Sequence, residues 1–240
     1  MISHRQIFTI ICFLLLASEP IKAQKSSTLS EKRWTDSFSI ERCSFIATGE
    51  NLFFILKPGY RSEYIGIEGK DTTRLIITVL DATEKVGEVE SRIVEERESV
   101  NGKLIEVSRN YFALCMQTNS VFYFGEAVDM YSDGKIISHE GAWRADKDGA
   151  KPGVMMPGLI LLGSRFYQEI APKIAMDRAE IVGMNETVAT PAGVFNGCLK
   201  IEETTPLEPK NKEYKFYAPG VGLVKDGNLL LVKREKVLSR

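Results

Sequence analysis

The stretch Arg97-Glu98-Ser99-Val100-Asn101-Gly102-Lys103-Leu104-Ile105-Glu106-Val107 decides the fold. An Asn-Gly pair accepts positive φ at both central positions of a two-residue turn, and that geometry suits the right-handed twist of two paired strands. Alternation runs away from the turn on both sides. The spacing therefore predicts that Glu88–Val100 and Lys103–Met116 pair antiparallel.

Upstream, Tyr60–Glu68 reads as a strand that ends at Gly69-Lys70-Asp71. Thr72–Leu80 follows, with Leu75, Ile77 and Val79 on one face and Ile76, Thr78 and Leu80 on the other. Apolar groups on both faces mark a central strand covered on both sides. Val86-Gly87 breaks the pattern. Asn51–Leu56 is a short apolar run stopped by the turn signal Lys57-Pro58-Gly59.

Downstream, Thr118-Asn119-Ser120 turns the chain into the aromatic run Val121–Tyr131. Ser132-Asp133-Gly134-Lys135 turns it again into Ile136–Trp143. Pro152-Gly153 and Pro157-Gly158 bracket Val154-Met155-Met156. Proline removes a ladder donor, so this segment reads as loop or sheet edge. Ser164–Ile170, Asp177–Gly183, Glu186–Thr190, Val194–Glu203, Lys212–Tyr217, Val221–Lys225 and Leu229–Lys233 complete the series. The prolines and glycines between Thr190 and Val224 are turn punctuation. Roughly a dozen strands at this spacing predict an all-β fold. Short turns mean antiparallel neighbours. The expected architecture is an antiparallel meander curled into a half-barrel or open roll, with residues 51–240 as a single β domain.

The first residues read as an export signal. His4 and Arg5 make a basic start, Ile7–Ala17 an apolar run short for a bilayer span, and Ala23 a cleavage position before Gln24. Residues 1–23 are thus expected to be a signal peptide, with an uncleaved anchor as the alternative, and 24–50 a mobile leader. The implied location is periplasmic or extracellular. The net charge of −1, with charges interspersed, excludes the basic excess of a nucleic-acid binder. Nothing in the pattern sets an oligomeric state.

Of four cysteines, Cys12 lies in the signal. An oxidising compartment favours a disulfide among the other three. Cys115 and Cys198 both fall in strand-like runs, so that pair is expected, with three buried free thiols as the alternative. No CxxC occurs, which excludes a zinc ribbon or thioredoxin-type site.

Chemistry is sparse. His139 is the only histidine after the signal, and Glu126 and Asp129 lie across a predicted hairpin from it. Alternation places His139 and Glu140 on opposite faces, and no nucleophile elbow or paired-histidine motif accompanies them. A hydrolase built on His139 is the weakest reading, and no catalytic residue or cofactor motif is expected. Asp129–Gly134 lacks the acceptors of a calcium loop. Asn185-Glu186-Thr187 matches a glycosylation sequon. The stronger feature is apolar. Met155 and Met156, with Leu159–Leu162, sit in a Pro/Gly-interrupted segment that caps the open side of a curved sheet. Phe122, Phe124, Trp143, Phe166 and Tyr167 would line a cavity beneath it. The competing reading packs all of them into the core.

Several blocks carry a resemblance: Leu56-Lys57-Pro58-Gly59-Tyr60, Val107–Ala113, Val121–Glu126, Ser138-His139-Glu140-Gly141, Thr190-Pro191-Ala192-Gly193, Glu202–Pro209 and Tyr217-Ala218-Pro219-Gly220-Val221-Gly222-Leu223-Val224. On these the chain resembles a broad family of uncharacterised exported bacterial all-β proteins, over most of its length after Asn51. The resemblance implies export and a β fold, and it transfers no catalytic residue. The final block is also similar to endings of periplasmic carriers of lipoproteins or other apolar ligands, whose sheets form half-barrels. The expected function is an exported protein that holds an apolar or amphipathic ligand, a lipid for example, or an envelope protein on a concave sheet face. The alternative is a structural or interaction module without a small ligand.

Overall fold

The computed structural model describes residues 33–236 of the chain. A 3₁₀ turn at Ile40–Arg42 precedes the strands β1 (Phe45–Ile46), β2 (Tyr60–Glu68), β3 (Asp71–Val86), β4 (Val89–Val100), β5 (Lys103–Cys115), β6 (Ser120–Ser132), β7 (Lys135–Ser138) and β8 (Trp143–Arg144). Then come β9 (Lys151–Met156), β10 (Arg165–Tyr167), β11 (Glu169–Ile170), β12 (Arg178–Thr190), β13 (Gly193–Thr204), β14 (Lys212–Ala218), β15 (Gly222–Asp226) and β16 (Leu229–Lys236). All pair antiparallel, in a nearly closed, barrel-like sheet with one open seam. The all-β meander expected from the turns is what forms, and it curls further than a half-barrel.

The Asn-Gly turn behaves as its chemistry requires. Asn101 and Gly102 have φ of 51° and 79°, and Val100 faces Lys103. The Asn101 side chain also pins the neighbouring hairpin: its Oδ1 accepts from the Thr72 N–H at 3.0 Å and its Nδ2 donates to Asp71 at 2.7 Å. Two runs of hairpins, β2–β6 and β12–β16, are joined where the last strand pairs with the first long one, Leu231 opposite Tyr64.

The seam is handled by residues 165–170. β10 adds to the free edge of β12, and β11 adds to β9, which pairs with β6. The Pro152–Met156 segment, read as loop or edge, is thus a paired strand beside the seam. It is a tight passage, since a Cβ on Gly153 would lie 2.3 Å from the Tyr167 carbonyl oxygen, so only glycine fits. Two further boundaries differ from the sequence reading. Ile136–Trp143 is not one strand, because the chain turns at His139–Ala142, where Gly141 takes φ of 92°, and resumes at Trp143. Asp177–Gly183 and Glu186–Thr190 are instead one strand, β12, with register shifts between them that absorb the interruption.

Residues 33–50, expected within the leader, are built into the sheet. Thr35 bridges Phe166, and β1 pairs with β5, Phe45 opposite Cys115. The expected signal peptide and the rest of the leader lie outside the described residues. This placement also corrects the disulfide. Cys43 bonds Cys115, with their Cα atoms 5.2 Å apart, and Cys198 is a buried free thiol. β1 carries Cys43 to the end of β5, within the span a disulfide can bridge. Cys198 sits on β13 in a separate apolar cluster with Val188, Val221 and Leu231. Its thiol is pushed up by burial.

Candidate functional site

Alternation sends every second side chain of a strand into the barrel. On β3 and β4 these include Ile77, Val79, Val94 and Glu96, and on β14 they include Lys215 and Tyr217. The segment 51–56 plugs one side. The buried Asn51 accepts from the Phe53 and Phe54 N–H groups at 3.0 and 2.8 Å and donates to the Met156 carbonyl at 3.4 Å. That turn aims Phe54 inward, where its ring meets Phe112 edge-on at 5.2 Å. Between plug and sheet a cavity of about 100 Å³ remains. Its wall is apolar and aromatic apart from Ser62, Glu96, Lys215 and Asp226.

The polar groups are unequal. Lys215 lies 2.8 Å from Glu203 and 3.8 Å from Asp226. Burial pulls its pKa down, yet the charges of Asp226 and Glu203 overcome this and hold the ammonium well above its usual range. Burial pushes Asp226 up, against the opposing pull of Lys215. Burial also pushes Glu96 up to about 8, with Lys215 pulling the other way and Glu126, Asp226 and Glu106 adding repulsion. Glu96 is thus largely a neutral acid at pH 7. Among the described residues no side chain hydrogen-bonds it and no cation lies within 4 Å of it.

Two further carboxyls are shielded from water nearby, Glu126 half-buried and Glu169 buried. Burial pushes Glu126 up to about 7, and Ser108 and Tyr123 hydrogen-bond it. It borders a second hollow of about 250 Å³ with Trp143 and Ile174. Glu169 accepts from the Asp177 N–H at 2.7 Å at the seam, and burial lifts it well above the usual carboxylate range. Among the described residues no three His, Cys, Asp or Glu groups are placed to hold a metal ion.

The residues expected to line a ligand cavity divide. Met155 lines it. Phe122 and Phe124 point to the opposite face of β6, edge-on to Phe45 at 5.4 and 5.1 Å, with Phe38 also on Phe122. Met156 and Phe166 are buried in the same core, and Trp143 meets Tyr123 edge-on at 5.1 Å and borders the second hollow. Tyr167 is half-buried on β10. Leu159, Leu161 and Leu162 do not cap the cavity and are mostly exposed.

His139 meets Asp129 at 3.0 Å, and the same Nδ1 lies 2.8 Å from the Val128 carbonyl oxygen. Its side chain is 69% exposed and Asp129 also holds Arg109 at 3.0 Å, so the pair is a surface ion-pair cluster. Glu126 is engaged elsewhere. The sequon residues Asn185 and Thr187 are exposed on β12.

Glu96, Lys215 and Asp226 had not been singled out. Lys215 and Tyr217 alternate with Tyr214 and Phe216, a hint that one face carries a charge inward, but only closure shows which face is inside.

Comparison with protein-family models, with curated proteins and with solved structures finds no match for this chain.

Proposed function

We propose that the chain is an exported binding protein that holds a small amphipathic ligand inside its barrel. The observation that carries this is the interior cavity. Phe54, Ile77, Val79, Val94 and Phe112 offer an apolar wall, and Glu96, Lys215 and Asp226 supply a polar end. Ligand sites commonly combine an apolar lining with a few placed polar groups. A packed core would instead exclude Glu96, a half-buried carboxyl that faces the cavity, because taking a carboxyl out of water costs free energy unless something meets it. Export is supported by the Cys43–Cys115 bond, which suits an oxidising compartment.

Native mass spectrometry of the mildly purified protein tests the reading. A bound small molecule that leaves on activation, and that Val94→Trp prevents from binding, is the expected result. A ligand-free mass together with no melting shift across small amphipathic probes would sink it.

One observation favours the docking alternative. Leu159, Leu161 and Leu162 are 73%, 58% and 66% exposed on a single loop. An envelope protein covering that loop would protect its amides from hydrogen exchange.

A further inference from the structure

We propose that the ligand of the interior cavity is a small organic cation, an alkyl- or arylammonium group whose charge is met by the Glu96 carboxylate and whose carbon skeleton lies against the aromatic wall. This rests on the cavity being a ligand site, and it names the chemistry of that site.

Three observations converge on it. Glu96 faces the cavity, and among the described residues no side chain hydrogen-bonds it and no cation lies within 4 Å of it, Lys215 acting on it only from farther away. Lys215, the cavity's own cation, is already committed to Glu203 at 2.8 Å and Asp226 at 3.8 Å, so its charge reaches Glu96 without a direct ion pair and leaves the Glu96 pKa raised. The rest of the wall includes Phe54, Tyr60, Tyr64, Phe112 and Tyr217. Aromatic faces carry negative quadrupole density and attract ammonium groups, most strongly where water is excluded. An anionic ligand would bring its charge beside Asp226 and, above pH 8, beside the ionised Glu96. A purely apolar ligand would leave Glu96 without a partner. A cation satisfies both the acid and the rings.

Size narrows the class. A cavity of about 150 Å³ holds benzene. The space here is about 100 Å³, so a headgroup with a short chain fits inside and a longer skeleton has to reach the opening.

The charge state of Glu96 adds a signature. The groups facing it are Lys215 and Tyr217 on β14, Asp226 on β15, Glu106 on β5, Glu126 on β6, Tyr60 and Tyr64 on β2, and Glu98 on its own strand. Below pH 8 the Glu96 carboxyl is mostly protonated. An incoming ammonium keeps its own protons, the Glu96 O–H bond breaks, and one proton leaves to solvent as the ion pair forms.

Isothermal titration calorimetry with n-butylammonium, n-butanol and n-butyrate on the full exported chain tests this. We expect n-butylammonium to bind most tightly. Its affinity should rise about tenfold per pH unit from pH 6 to pH 7.5, and its heat should vary with buffer ionisation enthalpy by close to one released proton. Glu96→Gln should lower n-butylammonium affinity at least tenfold and abolish the pH dependence. If that variant does not fold, the pH and buffer dependence of the wild type still decides. Tight binding of butanol or butyrate without the ammonium would overturn the cation assignment and leave the cavity as a ligand site. Ammonium binding with no proton release, or undiminished in Glu96→Gln, would overturn the role of Glu96. No binding of any probe, with no co-purified molecule, would overturn both readings.

Discussion

The two faces of β6 make the sharpest contrast in the molecule. On one face Phe122 and Phe124 pack edge-on against Phe38 and Phe45, brought there by the segment that precedes β2. This packing is dry and carries no charge. On the other face Tyr123 stacks on Phe112, hydrogen-bonds Asn110 and lies in a layer that includes Glu126 and, two strands away on β4, Glu96. Adjacent residues of similar character therefore have different fates. Phe122 and Phe124 stabilise through burial and dispersion. The inward layer buries charge that is only partly neutralised, an arrangement that costs stability and persists where something is to be bound.

Five changes would break or sharpen this contrast. Replacing Cys43 and Cys115 by serine unties the covering segment. With the bonded positions 72 apart in sequence, the loss should be about 4 kcal/mol. Urea unfolding with and without reductant measures it, and wild type in reductant should match the double variant. Phe122→Ala should cost about 3 kcal/mol through the hole left among the rings and leave n-butylammonium affinity unchanged. A loss of that binding would mean that the two faces are not independent.

Lys215→Met leaves Glu203 and Asp226 facing each other without a cation. About 3 kcal/mol should be lost at pH 7, and less as the pH is lowered, because burial raises Asp226 and favours its protonation. A pH-independent loss would place the contribution of Lys215 in packing alone.

Glu96→Gln acts through pH. In the folded chain burial lifts Glu96 to about 8 from the 4.5 of a free glutamate. Between those values the folded state holds a proton that the unfolded state does not, so stability falls as pH rises from about 4.5 to 8 and levels off above. Water reaching the cavity reduces the effect, to on the order of 2 kcal/mol. Glu96→Gln should flatten that part of the profile, as read from melting temperatures between pH 5 and pH 8.5. Smallest of all, His139→Ala should shift stability by no more than about 0.5 kcal/mol, as exposed ion pairs do. A loss of several kcal/mol would show that the Asp129 cluster is structural.

The parts legible in advance were those governed by local chemistry. Asn101-Gly102 could hardly adopt anything but its turn. Tyr60–Glu68 matches β2 residue for residue because Gly59 and Gly69 bound it with positive φ. Extended boundaries failed where a non-local partner decided. Residues 33–50 have no clear period, yet β5 stops pairing with β4 after Phe112, and β1 pairs with its end at Leu114 and Cys115. Pro152 looked like a strand breaker, but near the seam its missing N–H is tolerated and β9 forms around it.

By itself, then, the chain determined an antiparallel all-β meander, since turn residues and side-chain alternation act over a few positions. The tertiary structure alone decided the Cys43–Cys115 bond, the plug at residues 51–56 and the closure that turns Glu96, Lys215 and Asp226 toward one cavity. Alternation separates two faces but does not say which will be enclosed. Enclosure depends on contacts between residues far apart in the chain, and it makes an ordinary glutamate on a strand into a half-buried acid that no described side chain hydrogen-bonds.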